Sequence, residues 1–124
     1  MTRKLKNDRY RRARGGKAFL VQVHCSDCKK VVLLYQKDGD GRLKRCYLNR
    51  IMAPPELERL QRSKDKNPER LPKLACVRCE VVLGTGIRHH DGRLAFRLHP
   101  NFFFTKRIKK ENQRARNDQW VDNI

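Results

Sequence analysis

Four cysteines, arranged as two pairs, are the residues of this chain with the clearest chemistry. Each pair has two residues between its cysteines, in Cys25-Ser-Asp-Cys28 and Cys76-Val-Arg-Cys79. A tight turn of this length points both sulfurs at one ion, and two pairs complete the closed four-thiolate shell of structural zinc. The pattern predicts one structural Zn²⁺ bound by all four cysteines. Iron remains an alternative ion, because a four-thiolate site also accepts it.

The alternative interpretation of the four cysteines is two disulfide bonds. Disulfide-paired cysteines are typical of secreted chains, and the N-terminus has no apolar run suited to a signal peptide. A redox-active CxxC would need a single pair in a β-α-β setting, which the sequence does not offer. Four thiolates also leave no open position for a catalytic water. We therefore expect a protein that is not an enzyme and has no small-molecule substrate.

Four further residues have side chains that could bind a metal. Cys46 lies in a predicted strand and is interpreted as a small buried residue. His24 stands beside Cys25, but a complete set of four cysteines makes it unnecessary as a ligand. His89 and His90 fall at a predicted hairpin tip, where a solvent-exposed turn is favoured over a second metal site.

The chain carries one sequence unit twice. The tetrapeptide Asp-Gly-Arg-Leu starts twelve residues after the second cysteine of each pair, at 40–43 and at 91–94. Each unit combines a CxxC turn, an apolar run, an Asp-Gly turn and a basic returning segment. Asp-Gly between apolar runs is a hairpin signal. We predict a mainly β, zinc-stabilised domain of two pseudo-repeated CxxC hairpins, covering about 18–51 and 73–104.

The connection between the units, 52–72, is predicted to contain one short helix followed by a polar loop. Proline at 54 and 55 suits a helix start, and Leu57 and Leu60 lie three apart on one face. In the first unit, residues 18–24 and 29–36 are predicted strands, and 42–51 is predicted as one returning strand. After the second unit come three adjacent phenylalanines, 102–104, which cannot all face one core because neighbours in a strand point to opposite sides.

The charge of the chain is strongly positive. It has 31 Lys and Arg against 13 Asp and Glu, a formal net charge of +18. Solubility needs only ~2–8 charges on a small domain, so the excess indicates a polyanionic partner. The charge is spread over a basic N-terminal arm, 1–17, a zinc-binding body, 18–104, and a basic C-terminal tail, 105–124. The predicted nucleic-acid-binding residues are Arg3, Lys4, Lys6, Arg9, Arg11, Arg12, Arg14, Lys17, Arg42, Lys44, Arg45, Arg78, Arg93, Lys106, Arg107, Lys109, Lys110, Arg114 and Arg116.

The mode of recognition follows from what the sequence lacks. It has neither the helix pattern of a C2H2 finger nor that of a helix-turn-helix, so reading of bases in the major groove is not expected. Recognition of phosphates and shape on folded RNA fits better. The arm has two interpretations, a solvated tail or a segment that orders along phosphates with Tyr10 stacking on a base; we favour the second.

Two families share features with this chain. The four cysteines and the long basic tails resemble the zinc-ribbon proteins of the ribosome. Cys76-Val-Arg-Cys-Glu-Val-Val-Leu-Gly84 is similar to the second motif of the Yippee-like β-tent fold, which also places two CxxC motifs around one zinc. The chain departs from that family in its charge and in lacking an aromatic and glycine-rich middle segment. The resemblances imply a zinc-ribbon or β-tent-like fold.

The sequence thus predicts a non-catalytic, zinc-containing RNA-binding protein of the ribosome or associated with it. Its expected partners are RNA, ribosomal RNA in particular, and neighbouring ribosomal proteins. The alternatives are a protein-interaction adaptor, with 102–104 and Trp120 as its contact surface, and a DNA-binding accessory factor of a transcription or chromatin assembly.

The expected location is the cytoplasm, with the nucleus or an organelle matrix left open. The Arg-rich start is a weak candidate for a transit peptide, since it contains Asp8 and no serine. No stretch approaches the ~20 apolar residues of a membrane span, so no membrane partner is expected.

Overall fold

A computed structural model describes residues 5–108. It contains two short α-helices, three 3-10 turns and eight strands. The helices are α1, Arg9–Ala13, and α2, Pro55–Glu58; the 3-10 turns are Leu48–Arg50, Arg59–Arg62 and Pro68–Arg70. The strands are β1, Ala18–Cys25; β2, Val31–Asp38; β3, Arg45–Tyr47; β4, Ile51–Ala53; β5, Leu74–Ala75; β6, Val82–Arg88; β7, Leu94–Leu98; and β8, Phe103–Arg107. None of the helices between residues 5 and 108 has the length and apolar character of a membrane span.

The strands form two four-stranded sheets, and the mainly β prediction is confirmed. The first sheet has the order β4-β2-β1-β8, and the second has the order β3-β7-β6-β5. All the pairings are antiparallel. Each sheet takes three strands from one half of the chain and one edge strand from the other half. This exchange of β3 and β8 ties the two halves together.

The main core lies between the two sheets. It joins Val23 and Leu33 of the first sheet to Leu83 and Phe96 of the second, all of them fully buried. Alternate residues of β1 and β2, such as Leu20 and Leu34, point the other way and form a smaller cluster with Leu5 and Ile108. The first sheet is therefore apolar on both faces, which explains the nearly unbroken apolar run of β2.

The segment 42–51 is not the single returning strand that the sequence suggested. It divides into β3, which pairs with β7 in the second sheet, the turn Leu48–Arg50, and β4, which pairs with β2 in the first. The Tyr47 N–H donates to the Tyr35 hydroxyl at 2.9 Å, and the chain then turns from one sheet to the other. The side chain of Tyr35 thus takes the place of a strand neighbour at this crossing.

The predicted helix of the connection is present as α2 followed by the turn Arg59–Arg62. Leu57 and Leu60 pack against the main core, as the spacing predicted. The polar loop after this helix contacts the second sheet and does not extend freely into solvent. A Cβ on Gly86 would lie 2.6 Å from the carbonyl oxygen of Pro68, so the turn Pro68–Arg70 approaches β6 at a distance that only glycine permits.

The N-terminal arm is docked on the body over residues 5–16, which neither interpretation of the arm anticipated. Gln36 exchanges two hydrogen bonds with the backbone of Lys6, at 2.7 and 2.9 Å. Asp8 caps α1 by accepting from the N–H groups of Tyr10 and Arg11. At the other end of the described residues, the predicted limit between the body and the C-terminal tail, after residue 104, falls inside β8.

Candidate metal centre and basic cavity

The two CxxC turns have the same backbone geometry. The Cys25 N–H donates to the Lys30 carbonyl, and the Cys25 carbonyl accepts from the Lys29 N–H, both at 2.9 Å. In the second turn, Cys76 makes the corresponding bonds with Val81 and Glu80 at 2.9 and 2.8 Å. Lys29 and Glu80 occupy the left-handed region, with φ of 70° and 63°. Each turn thereby presents both of its sulfurs on one side.

The four sulfurs converge on one point. The Sγ atoms of Cys25, Cys28, Cys76 and Cys79 all lie within 4.8 Å of one another. Two short separations join the two turns, with 3.3 Å between Cys25 and Cys79 and 3.5 Å between Cys28 and Cys76. Sulfurs placed at ~2.3 Å around a tetrahedral zinc are about 3.8 Å apart. The cluster therefore has the donors and nearly the spacing that a four-thiolate metal site requires.

A disulfide arrangement does not fit these positions. Bonded sulfurs lie ~2.05 Å apart, far closer than either short pair in the cluster. All five cysteines are free thiols in the structure.

The pKa values of two thiols in the cluster depart from their usual range in opposite directions. The Lys30 backbone N–H, which favours a thiolate, lowers the pKa of Cys28 to about 7. The Val81 N–H acts on Cys79 in the same direction, but burial and the hydrogen bonds with the other three sulfurs raise the pKa of Cys79 to about 12. Four thiolates this close cannot all ionise alone, whereas a divalent ion at their centre removes the repulsion.

The other candidate ligands lie apart from the cluster. Cys46 is fully buried in β3, so the prediction of a small buried residue is confirmed, and burial raises the pKa of its thiol. His24 stacks on Phe104, with 4.7 Å between ring centroids, while its Nδ1 lies 3.0 Å from the Lys29 carbonyl oxygen. His90 is exposed in a turn as expected. His89 departs from the expected exposed position, because only 15% of its side chain is exposed and its ring packs edge-on against Tyr47.

The second feature is a cavity of about 870 Å³ between α1, the loop 42–45 and the turn at 89–93. Six of the predicted nucleic-acid-binding residues line it, namely Arg9, Arg14, Arg42, Lys44, Arg45 and Arg93. Tyr10, which the sequence suggested as a stacking residue, also lines the cavity, whereas sequence reasoning missed Lys37, Tyr47 and His90. These side chains come together from distant parts of the chain, so no local sequence pattern predicts that they line one cavity.

A stack of side chains forms one wall of the cavity. The Arg93 guanidinium carbon lies 3.7 Å from the ring centroids of both Tyr10 and Tyr47, between the arm and β3. Asp91 accepts a hydrogen bond from Arg93 Nε at 3.0 Å and holds the guanidinium in this orientation. Arg93 therefore has a structural role in addition to lining the cavity.

A buried arginine supports the floor below this stack. Arg50 is 1% exposed, and its guanidinium donates to Asp38 at 2.7 Å and to Asp8 at 3.0 Å. The hydrogen bond from Arg50 lowers the pKa of Asp8 to about 2. Asp38 and Asp8 come from β2 and from the arm, so this pair of ion pairs attaches the arm to the body.

The remaining predicted nucleic-acid-binding residues differ in how accessible their side chains are. Lys6 is an exception to the prediction, because its ammonium donates to the Asn49 carbonyl and to Gln61, both at 2.6 Å, and would have to give up these bonds to reach a phosphate. Arg11 donates to the Gly16 carbonyl and closes its own helix. Exposed positions are held by Arg12, Lys17, Arg78, Lys106 and Arg107. Arg3, Lys4, Lys109, Lys110, Arg114 and Arg116, like Trp120, lie outside the described residues.

No protein-family model matches the chain, and comparisons with curated proteins and with solved structures give no match. The functional interpretation therefore rests on the metal centre and the basic cavity themselves.

Proposed function

We propose that this chain is a non-catalytic RNA-binding protein stabilised by one zinc ion, and that it is a component of the ribosome or a factor associated with it. The observation that carries the proposal is the basic cavity, in which seven Lys or Arg side chains face two Asp. Both of these carboxylates are neutralised within the protein, Asp38 by Arg50 and Asp91 by Arg93. The cavity is therefore a site of uncompensated positive charge on the folded body, in addition to the basic termini.

Zinc is the ion we assign to the cysteine cluster. A closed shell of four sulfurs gives the metal a structural role, since no coordination position is left for substrate or water. At this chain length a structural ion supplies folding free energy that a small core does not. Each CxxC turn joins two paired antiparallel strands, β1 and β2 in the first case and β5 and β6 in the second. We interpret these two turns as the repeated unit around that ion, in the manner of a zinc ribbon or a β-tent.

RNA is favoured over duplex DNA by the shape of the basic surface. The described helices, α1 and α2, span five and four residues, too short to fill a major groove. A concave surface with aromatic walls suits the irregular folds of RNA, where phosphates and unpaired bases are presented together.

The experiment that tests this function is sedimentation of a cell lysate through sucrose gradients at low and high salt, with the chain followed by mass spectrometry. We expect it to migrate with a ribosomal subunit. Retention at both salt concentrations would identify an integral component, and loss at high salt would identify a peripheral factor. Migration at the top of both gradients would contradict the ribosomal assignment.

One observation favours a second candidate, the protein-interaction adaptor. Two large apolar side chains beside the cysteine cluster are exposed, Val77 at 80% and Phe102 at 49%. Val77 lies inside the second CxxC turn, and the Phe102 carbonyl accepts from the Ser26 N–H of the first. A protein partner that covers this end would be lost on Phe102→Ser at any salt concentration, whereas RNA binding would not.

A further inference from the structure

The basic cavity has the size of a ligand pocket rather than of a flat phosphate-binding face. Its volume of about 870 Å³ falls within the ~300–1,000 Å³ that is usual for sites enclosing small molecules. Its walls come from four separate parts of the chain, namely α1, the end of β2, the segment 42–47 and the turn at 89–93. A concave site of this kind selects a group that can enter it, which a smooth double helix cannot do.

Four of the cations lining the cavity have no acceptor within residues 5–108. They are Arg14, Arg42, Lys44 and Arg45, which approach the cavity from the end of α1 and from the loop before β3. Arg45 also stands opposite Arg97 in the register of β3 and β7. Like charges at such a position destabilise a sheet, and a bound anion would relieve the repulsion.

The cavity also contains planar side chains on which the ring of a ligand could stack. Tyr10, Arg93 and Tyr47 form a stack along one wall. Beside it His89 lies edge-on to Tyr47, and the ring of exposed His90 lies 4.0 Å from that of His89. Bases that are not paired stack on aromatic rings and on guanidinium planes, while the bases of a duplex are covered by their neighbours. The combination of free cations with the exposed ring of His90 and the half-buried rings of Tyr10 and Tyr47 is suited to a phosphate joined to a base.

We propose that the cavity binds an unpaired nucleotide of an RNA strand, with the phosphates on the four free cations and the base on the aromatic wall. The inference rests on the proposed RNA-binding function and adds that one site on the body distinguishes single-stranded from paired RNA. A free nucleotide has the same chemistry, and the experiment separates the two sources.

The test compares two double variants that each remove two positive charges. Arg42→Ala/Lys44→Ala changes the cavity, whereas Lys64→Ala/Lys66→Ala changes an exposed loop outside it. Zinc content and circular dichroism confirm that both remain folded, as expected because none of the four side chains has a partner within residues 5–108. Affinity is measured for a fluorescent single-stranded RNA and for a blunt RNA duplex at several salt concentrations.

We expect the cavity variant to lose roughly tenfold more affinity for the single strand than the loop variant does. The slope of log K against log salt for the cavity variant should also become shallower by about 1.4, since each phosphate contact on a single strand contributes ~0.7 to that slope. Duplex affinity should fall equally in the two variants. His90→Ala should weaken single-strand binding about 5-fold or more without changing the salt dependence, because stacking does not release counterions.

Three results would overturn the inference. Equal loss of single-strand affinity in the two double variants would remove the cavity from the interface. Equal loss of duplex and single-strand affinity in the cavity variant would make it a general phosphate surface. Saturation by a nucleoside monophosphate at lower concentration than the RNA would assign the cavity to a free nucleotide. Absence of RNA binding by the wild-type protein is a different outcome, in which the proposed function itself fails.

Discussion

At the scale of single residues, we expect the four sulfurs of the cysteine cluster to determine whether the protein folds. Cys25 and Cys76 are buried, and Cys28 and Cys79 are half-buried. Zinc bound to such a cluster contributes ~10–16 kcal/mol, comparable to the whole stability of a domain, which is ~5–15 kcal/mol. Without the ion, four ionisable thiols would be left in close contact.

We predict that Cys76→Ser abolishes both zinc binding and the folded state. The matched control is Cys46→Ala, which removes a fully buried sulfur outside the cluster. It should retain one equivalent of zinc and lose only about 1 kcal/mol of stability. Metal content by mass spectrometry and unfolding followed by circular dichroism give both values. A folded, zinc-free Cys76→Ser protein would contradict the four-thiolate site.

The cysteine cluster is also the part of the candidate site that the sequence predicted best. The spacing of a CxxC turn is a local constraint, so residue type and separation along the chain suffice to indicate which sulfurs can converge. The role of Arg50 was missed for the opposite reason. Its partner Asp8 is 42 residues away, and a buried arginine in a highly basic chain has no local signature.

At the scale of elements, the contact between the arm and the body organises the cavity, because α1 provides one of its walls. The ion pairs of Arg50 with Asp8 and Asp38 lie at this contact. Removing one partner of a buried charge leaves the other without compensation, which costs more than the loss of a surface pair.

We predict that Asp8→Asn loosens the arm and lowers the free energy of unfolding by about 1–3 kcal/mol. Asparagine still caps α1, so the loss reports on the charge to Arg50. Asp40→Asn is the control, since Asp40 is exposed and lies 3.9 Å from exposed Lys17. Amide exchange should accelerate in residues 5–16 of the first variant only. Equal protection in both variants would show that the ion pair does not hold the arm.

The pH dependence of this effect has a definite sign. The pKa of Asp8 is lowered from 3.8 to about 2, so its stabilisation is complete above about pH 4 and is lost as the pH falls toward 2. The difference in unfolding free energy between the wild type and Asp8→Asn should therefore be the same at pH 6 and pH 8. A difference that grew over this range would assign the effect to another titrating group.

The strands show how far local patterns extend. The predicted strand 18–24 is present as β1, and the hairpin of β6 and β7 lies where the Asp-Gly turn placed it. The exchange of β3 and β8 between the sheets was not predicted, because which edge a short strand joins depends on the packing of both sheets. The helix α1 had a signal that was not used, an Asp before the first turn and a pair of glycines after the last.

At the scale of the whole molecule, we propose that a metal centre joins the two sheets and that the positive surface binds a polyanion. The net charge of +18 makes the free protein repel itself. RNA would reduce this repulsion, so RNA binding and thermal stability should rise together.

The most direct test of this account is a salt titration of the zinc-loaded protein binding to purified ribosomal RNA. We predict tight binding at low salt and a linear fall of log K with log salt, with a slope of several times ~0.7–0.9, one such increment for each phosphate contacted. Binding that is absent at low salt, or that does not change with salt, would contradict recognition through phosphates and with it the proposed function.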